Sequence, residues 1–167
     1  MCIEIERRFL IKNNNWEKLV HNKTDIIQGY LTSYSESWLV RIRSEDNLFT
    51  LTLKKHLINS KNFEFEYKIP QKEGEMIISE IKETIIKERF YLRFKEKEWI
   101  IDRFKGENFP LEIAEVELKT INEQIILPSF LSTEITGLKN FSNFELSDKP
   151  FSCWDENYIK FLAGLAK

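Results

Sequence analysis

Phe63-Glu64-Phe65-Glu66-Tyr67-Lys68-Ile69 is the stretch on which the fold turns. Apolar and charged side chains alternate through it without a break. A period of two belongs to a strand with one apolar and one charged face. The same alternation recurs on both sides of it. Ile3-Glu4-Ile5-Glu6-Arg7-Arg8-Phe9 carries it at the N-terminus, and Leu39-Val40-Arg41-Ile42-Arg43 follows a strand signal at Gln28-Gly29-Tyr30-Leu31. Thr50-Leu51-Thr52-Leu53-Lys54 continues the pattern. Lys87–Phe94 and Trp99–Phe104 flank the polar turn Lys95–Glu98 and predict a hairpin. Leu111–Leu118 is the last long strand, which makes about eight strands.

Helices are fewer. Ile77, Ile81 and Ile85 recur at helical spacing after Gly74 and predict a helix over Glu75–Ile86. Thr120 and Glu123 have capping-box spacing, which predicts a short helix stopping at Pro128. Asp155 is placed to cap a terminal helix with Tyr158, Leu162 and Leu165 on one face, although Gly164 weakens its last turn. The Phe- and Ser-rich segment 129–153 yields no assignment.

Composition narrows the function. The chain has 167 residues, 42% of them hydrophobic, enough for one domain with a real core. Lys and Arg number 25 against 27 Asp and Glu, a net charge of −2, so no basic excess points to an extended nucleic-acid groove or an anionic membrane. No apolar run approaches the roughly 18 residues of a membrane span. Charges begin at Glu4, so no secretory signal is expected and the prediction is a cytoplasmic protein. Cys2 and Cys153 form no disulfide framework or zinc spacing, and His21 and His56 are too isolated for a histidine-built metal site.

The polar faces hold the chemistry. Residues i and i+2 share a strand face about 7 Å apart, where like charges repel. Yet acids pair as Glu4/Glu6, Glu64/Glu66 and Glu115/Glu117, and bases pair as Arg41/Arg43 and Lys87/Arg89. One reading is an open sheet with one wet face. The other is a sheet closed into a barrel, with these faces turned inward. Its interior would hold the acids Glu4, Glu6, Glu64, Glu66, Asp102, Glu115 and Glu117 beside the bases Arg8, Arg41, Arg43, Lys54, Lys87 and Arg89. Clustered carboxylates are the hard oxygen ligands of Mg²⁺ or Mn²⁺, and clustered Arg and Lys bind phosphate oxygens. Together they describe a metal–polyphosphate site.

Glu4-Ile5-Glu6-Arg7-Arg8 resembles the E-x-E-x-K signature of the CYTH superfamily, the triphosphate tunnel metalloenzymes. Gln28–Leu31, Arg41-x-Arg43, Thr52-Leu53-Lys54, Glu64-x-Glu66, Lys87-x-Arg89, Asp102 and Glu115-x-Glu117 follow in that family's order. The resemblance spans roughly residues 1–145 and is closest to small bacterial single-domain members. It implies an α+β fold: a closed eight-stranded antiparallel β-barrel, a tunnel with a charged interior and a few helices packed outside. It also implies one domain over residues 1–167, with 141–167 a C-terminal helical tail.

By the same resemblance the chain hydrolyses a triphosphate, inorganic or organic, with a divalent metal. Glu4, Glu6 and Glu115 would bind one metal, and Glu66, Asp102 and Glu117 would hold a second metal or the attacking water. Glu4, Glu6, Arg8, Glu66 and Asp102 are then the catalytic candidates. Arg8, Arg41, Arg43, Lys54, Lys87 and Arg89 would grip the substrate, with Glu64 a helper. Two alternatives stay open on this scaffold: a class IV adenylyl cyclase, and a non-catalytic binder of polyphosphate, nucleotide or an RNA 5′-triphosphate end. The sequence departs from the family pattern twice. Arg8 stands where lysine is usual, and the C-terminal signature that closes one tunnel end is degraded to Glu134–Asn143. The Phe-rich tail would close that end differently, shape a pocket for a base, or simply cover the wall. The oligomeric state is not legible.

Overall fold

The alternating stretches become nine strands. The computed structural model describes residues 3–32, 38–56, 61–156 and 158–159, except for the side chains of Ile3, Glu4, His56, Lys61 and Asn62. Strand β1 (Ile3–Ile11) is followed by a 3-10 turn (Asn14–Leu19), β2 (Val20–Tyr30), β3 (Leu39–Glu45), β4 (Leu48–His56) and β5 (Lys61–Ile69). Helix α1 (Gln71–Ser79) leads into β6 (Thr84–Phe94), β7 (Lys97–Phe104), β8 (Glu112–Glu117), β9 (Leu131–Glu134) and helix α2 (Asn143–Asp148). The fold is α+β: one large antiparallel sheet and few helices.

The sheet runs β5-β4-β3-β2-β6-β7-β8-β1-β9. This corrects the expected closed eight-stranded barrel on two counts. There are nine strands among the described residues. The sheet also does not close along the length of β1, which meets β5 over three residue pairs only, Ile3 to Ile5 against Phe63 to Lys61. Farther along, β9 pairs with Phe9 and Ile11, while β8 pairs with Glu6 to Leu10. One nine-residue strand thus serves three neighbours.

The helix expected over Glu75–Ile86 is shifted and shortened. Pro70 starts α1 and Glu80 ends it. Thr84, Ile85 and Ile86 open β6 instead, because β-branched residues suit a pleated surface and Ile85 is wholly buried there. Ile81 lies over Gly29 of β2, where a Cβ would stand 2.8 Å from the isoleucine side chain. The short helix after Thr120 does not form. Residues 119–122 make a bend and turn, and Glu123 accepts from Lys119 N at 2.5 Å and pairs with Lys97 at 2.7 Å. The Asp155 cap does form, its carboxylate accepting from Tyr158 N at 3.4 Å. Leu162, Gly164 and Leu165 lie outside the described residues.

Two apolar clusters hold the sheet. On the outer face Phe9, Trp16, Leu92, Trp99, Ile101, Ala114 and Val116 pack under Phe130 and Leu131. The second cluster joins Ile85, Phe104 and Ile113 to Phe141 and Leu146 of the C-terminal segment. Ile85, Phe104 and Ile113 each stand two residues from Lys87, Asp102 and Glu115 respectively, so they share the charged face. The segment 129–153, unassigned from sequence, is therefore divided: Phe130 and Leu131 cover the outer wall, while Ile135, Phe141 and Leu146 cover one end of the charged face. Buried Asn108 fastens it, donating to the Leu146 carbonyl at 3.1 Å and accepting from Phe151 N at 2.9 Å.

Candidate active site

Strand register gathers the charged residues. Arg8 stands opposite Glu115 and Glu6 opposite Glu117. Arg89 faces Asp102, Thr52 lies between Arg41 and Glu66, and Lys54 meets Glu64. Strand β2 links the two halves, with Thr24 opposite Arg89 and Gln28 opposite Arg43. Directly opposed residues of paired strands point to the same side. The sequence-predicted residues therefore share one face of the sheet. Glu4 occupies the next position of that face, opposite Asn62, and its side chain lies outside the described residues.

Asp102 anchors one group. Its carboxylate is 1% exposed and takes Arg89 Nε at 2.7 Å, Arg89 Nη2 at 2.8 Å and the Lys87 ammonium. Burial alone would raise Asp102, but Arg89 and Lys87 reverse this and hold it well below the usual carboxylate range. Burial drives Lys87 down to about 8, helped by Arg89 and opposed by Asp102. Burial also works against the Arg89 charge, yet Asp102 and Glu115 raise it. Glu115 accepts from Arg8 Nε at 2.8 Å and lies 3.7 Å from Arg89, while Glu6 is 4.0 Å from Arg8. Burial opposes the Arg8 charge too, and Glu115, Glu6 and Asp102 outweigh it. Arg8 reaches the C-terminal segment through the Phe141 carbonyl at 3.0 Å, and Lys87 reaches Asn143 at 3.3 Å.

The second group lies on β3, β4 and β5. One Glu66 oxygen accepts from Arg41 at 3.3 Å, from Arg43 at 3.2 Å and from Thr52 at 3.3 Å. Glu64 takes Arg41 at 3.2 Å and Lys54 at 3.0 Å. Burial, then the neighbouring Arg41, pushes Arg43 down. The Nε atoms of Arg41 and Arg43 are buried and have no hydrogen-bond partner among the described residues. A buried polar group without a partner costs about 1–3 kcal/mol. Two such donors side by side suit the oxygens of an anion.

Among the described residues no three His, Cys, Asp or Glu side chains converge closely enough to chelate an ion as they stand. Glu6 and Glu115 nevertheless flank one arginine, and Glu117 is the register partner of Glu6. These are carboxylate oxygens on adjacent strands of one face, the donor chemistry that Mg²⁺ and Mn²⁺ take. The donor set fits a divalent cation. No helix among the described residues is long and apolar enough to cross a membrane.

Sequence reasoning quoted Thr52 and Tyr30 within motifs without giving them a role, and it missed Glu45, Tyr91 and Asn143. Thr52 is fully buried between Arg41 and Glu66. Glu45 continues the parity of Arg41 and Arg43, and Tyr91 continues that of Lys87 and Arg89, so both were available to a stricter count. Tyr30, raised to about 12 by burial, accepts from Gln28 Nε2 at 2.8 Å. Asn143 and the Phe141 carbonyl carry no sequence signal, because they arrive from a segment without periodicity.

A protein-family model described as the CYTH domain matches residues 2–145. An inorganic triphosphatase of Acetivibrio thermocellus is 30% identical over 155 residues, spanning 92% of this chain and 98% of that one. Among solved structures, the inorganic triphosphatase NE1496 superposes with a TM-score of 0.66 at 28% identity, over 88% of this chain and 95% of that one. A putative adenylate cyclase of Bacillus halodurans has a TM-score of 0.56 at 17% identity, over 72% of this chain and 83% of that one, a likeness of fold alone.

Proposed function

The chain belongs to the CYTH domain family, and from that membership we propose that it is a divalent-metal-dependent triphosphatase. It cleaves a phosphoanhydride bond of inorganic triphosphate or of an organic triphosphate. The observation that carries this reading is the register: six cations and their carboxylate partners stand on one face, with the Nε donors of Arg41 and Arg43 left without hydrogen bonds among the described residues. The A. thermocellus and NE1496 triphosphatases support it. The functional unit is residues 1–167, with 141–167 its tail. The sheet works as a tunnel around the substrate, β1 and β5 forming the seam.

Each residue then has a task. Arg41, Arg43 and Lys54 bind phosphate oxygens from one side, and Lys87, Arg89 and Arg8 from the other. Arg forks match phosphate oxygens two at a time. Substrate oxygens take over from Glu66 and Glu64 as partners of Arg41 and Arg43. Asp102 keeps both oxygens on Lys87 and Arg89, so it positions those cations for the phosphates. Glu4, Glu6, Glu115 and Glu117 would hold the metal, Mg²⁺ or Mn²⁺, and Glu66 orients the attacking water. Bound there, the metal supplies charge neutralisation and polarises a phosphoryl oxygen. Arg8 keeps its proton throughout, so it stabilises charge on the phosphate without exchanging a proton. Preorganised cations aimed at developing oxyanion charge are a large catalytic term.

Phosphate release from inorganic triphosphate with Mg²⁺ or Mn²⁺ tests the proposal. Glu6→Gln and Glu115→Gln are each expected to lower kcat on the order of 100-fold. Activity that survives both changes would sink the metal assignment. Cyclic nucleotide from ATP would identify a cyclase instead, and binding without turnover of any triphosphate a binding module.

A further inference from the structure

Strand β3 carries a charge reversal on its inner face. Arg41 and Arg43 are followed by Glu45, the last residue of the strand, before the turn at Asp46 and Asn47. Three elements fix the Glu45 carboxylate. Its Oε1 accepts from Tyr91 of β6 at 2.7 Å and from Thr24 of β2 at 3.2 Å, and its Oε2 lies 3.9 Å from Arg43 Nε. Burial opposes its charge, but the Tyr91 hydrogen bond, Arg43, Thr24 and Arg89 prevail and keep it ionised. Lys54 pairs with Leu39 at the other end of the same face, so cations run from Lys54 through Arg41 to Arg43 and stop at Glu45.

We infer that Glu45 is a specificity-determining residue that limits the length of the bound phosphate chain. A chain laid along Lys54, Arg41 and Arg43 finds a cation at each step and then a fixed carboxylate. Successive inward residues lie about 7 Å apart, so a further phosphate at that end comes close enough to Glu45 for repulsion in a partly screened interior. Three phosphates are accepted and a fourth is disfavoured. The two-residue turn leaves no inward cation beyond Glu45 on this strand to offset it. Tyr91 and Thr24 act through Glu45, holding its carboxylate over the cation row.

The inference rests on the triphosphatase reading, and the experiment separates the two. Inorganic triphosphate and tetraphosphate are compared on the full chain by kcat/KM with Mg²⁺, and by calorimetric binding with the metal chelated. Glu45→Gln is expected to shift the tetraphosphate-to-triphosphate ratio about tenfold toward tetraphosphate in both measurements, as removal of one unit charge requires. Glu45→Asp retains the carboxylate and is expected to keep the wild-type preference, whereas Tyr91→Phe, which removes the 2.7 Å hydrogen bond that holds it, is expected to shift the ratio in the same direction as Glu45→Gln but less far. If Glu45→Asp moves the ratio as far as Glu45→Gln, packing rather than charge sets it and the inference fails. An unchanged ratio in Glu45→Gln also overturns it. Absence of turnover in the wild-type chain would overturn the triphosphatase reading, while the binding ratio still decides the role of Glu45.

Discussion

Asp102 shows what a single side chain does here. It is buried to 1% and neutralises two interior cations, Lys87 and Arg89, the second of which also has Glu115 at 3.7 Å. Breaking a buried pair by removing one partner costs about 3–5 kcal/mol, far more than an exposed pair is worth. Asp102→Asn is therefore expected to lower stability by about 3–5 kcal/mol in urea denaturation at neutral pH. The pH dependence has a definite sign. The folded-state value lies below the ordinary 3.8, so the contribution is complete above that value and is lost as pH falls through the folded one. The gap between wild type and Asp102→Asn should thus shrink below about pH 3.8. A gap that stayed the same at pH 3 would contradict the assignment of the charge. At this scale the sequence was informative, since it counted Asp102 among the inward acids that share a face with Lys87 and Arg89. It could not tell that both Asp102 oxygens are taken by cations, because a hydrogen-bond partner depends on reach across strands and not on spacing along one.

Among the elements, helix α1 shows why boundaries were harder to read than strands. Ile77, Ile81 and Ile85 have helical spacing, but the three serve different structures: α1, the connection over Gly29, and β6. Periodicity does not record where the chain turns. The signal that the helix begins early is Pro70, a residue that commonly precedes or opens a helix. Gly74 is the tightest point. A Cβ there would stand 2.1 Å from the Phe49 ring, which is itself 7% exposed on β4. Gly74→Ala gains about 1 kcal/mol of helix propensity. It also forces buried Phe49 aside, and overpacking of this kind costs about 1–3 kcal/mol. The contact is close enough that the second effect should win. Chemical denaturation should show Gly74→Ala less stable than wild type, and the double change Gly74→Ala with Phe49→Leu should recover part of the loss. A more stable Gly74→Ala would mean that the α1–β4 packing yields freely. The strand β9 and helix α2 were not legible for a different reason: both are short and are placed by Asn108 and by the exposed end of the sheet.

The whole molecule turns a near-neutral composition into a divided one. Net charge is −2, and the balance is local: acids and bases are paired on one face while apolar clusters hold the other face and one end. The alternation pattern was sufficient to predict that face, because a period of two commits every second residue to one side. It could not predict how far β1 and β5 would pair, since closure depends on strand stagger and not on pattern. An open sheet with one wet face and an inward-facing tunnel differ in what a distant charge change does. Lys54 pairs with Glu64 at 3.0 Å and stands on the inner face of β4. On a wet face its reversal would touch little. In a tunnel it would place a negative charge beside the substrate phosphates. A ligand at a hundredfold excess over its Kd stabilises the folded state by about 2.7 kcal/mol. For a chain of this size that amounts to a rise in Tm of roughly 5–10 °C. Thermal unfolding with saturating inorganic triphosphate, the divalent metal chelated so that turnover consumes none, should show a rise of that order in wild type. Lys54→Glu should lose most of the rise, read against its own unfolding temperature without ligand. Retention of the full shift by Lys54→Glu would place the triphosphate elsewhere and leave the charged face as a solvated wall.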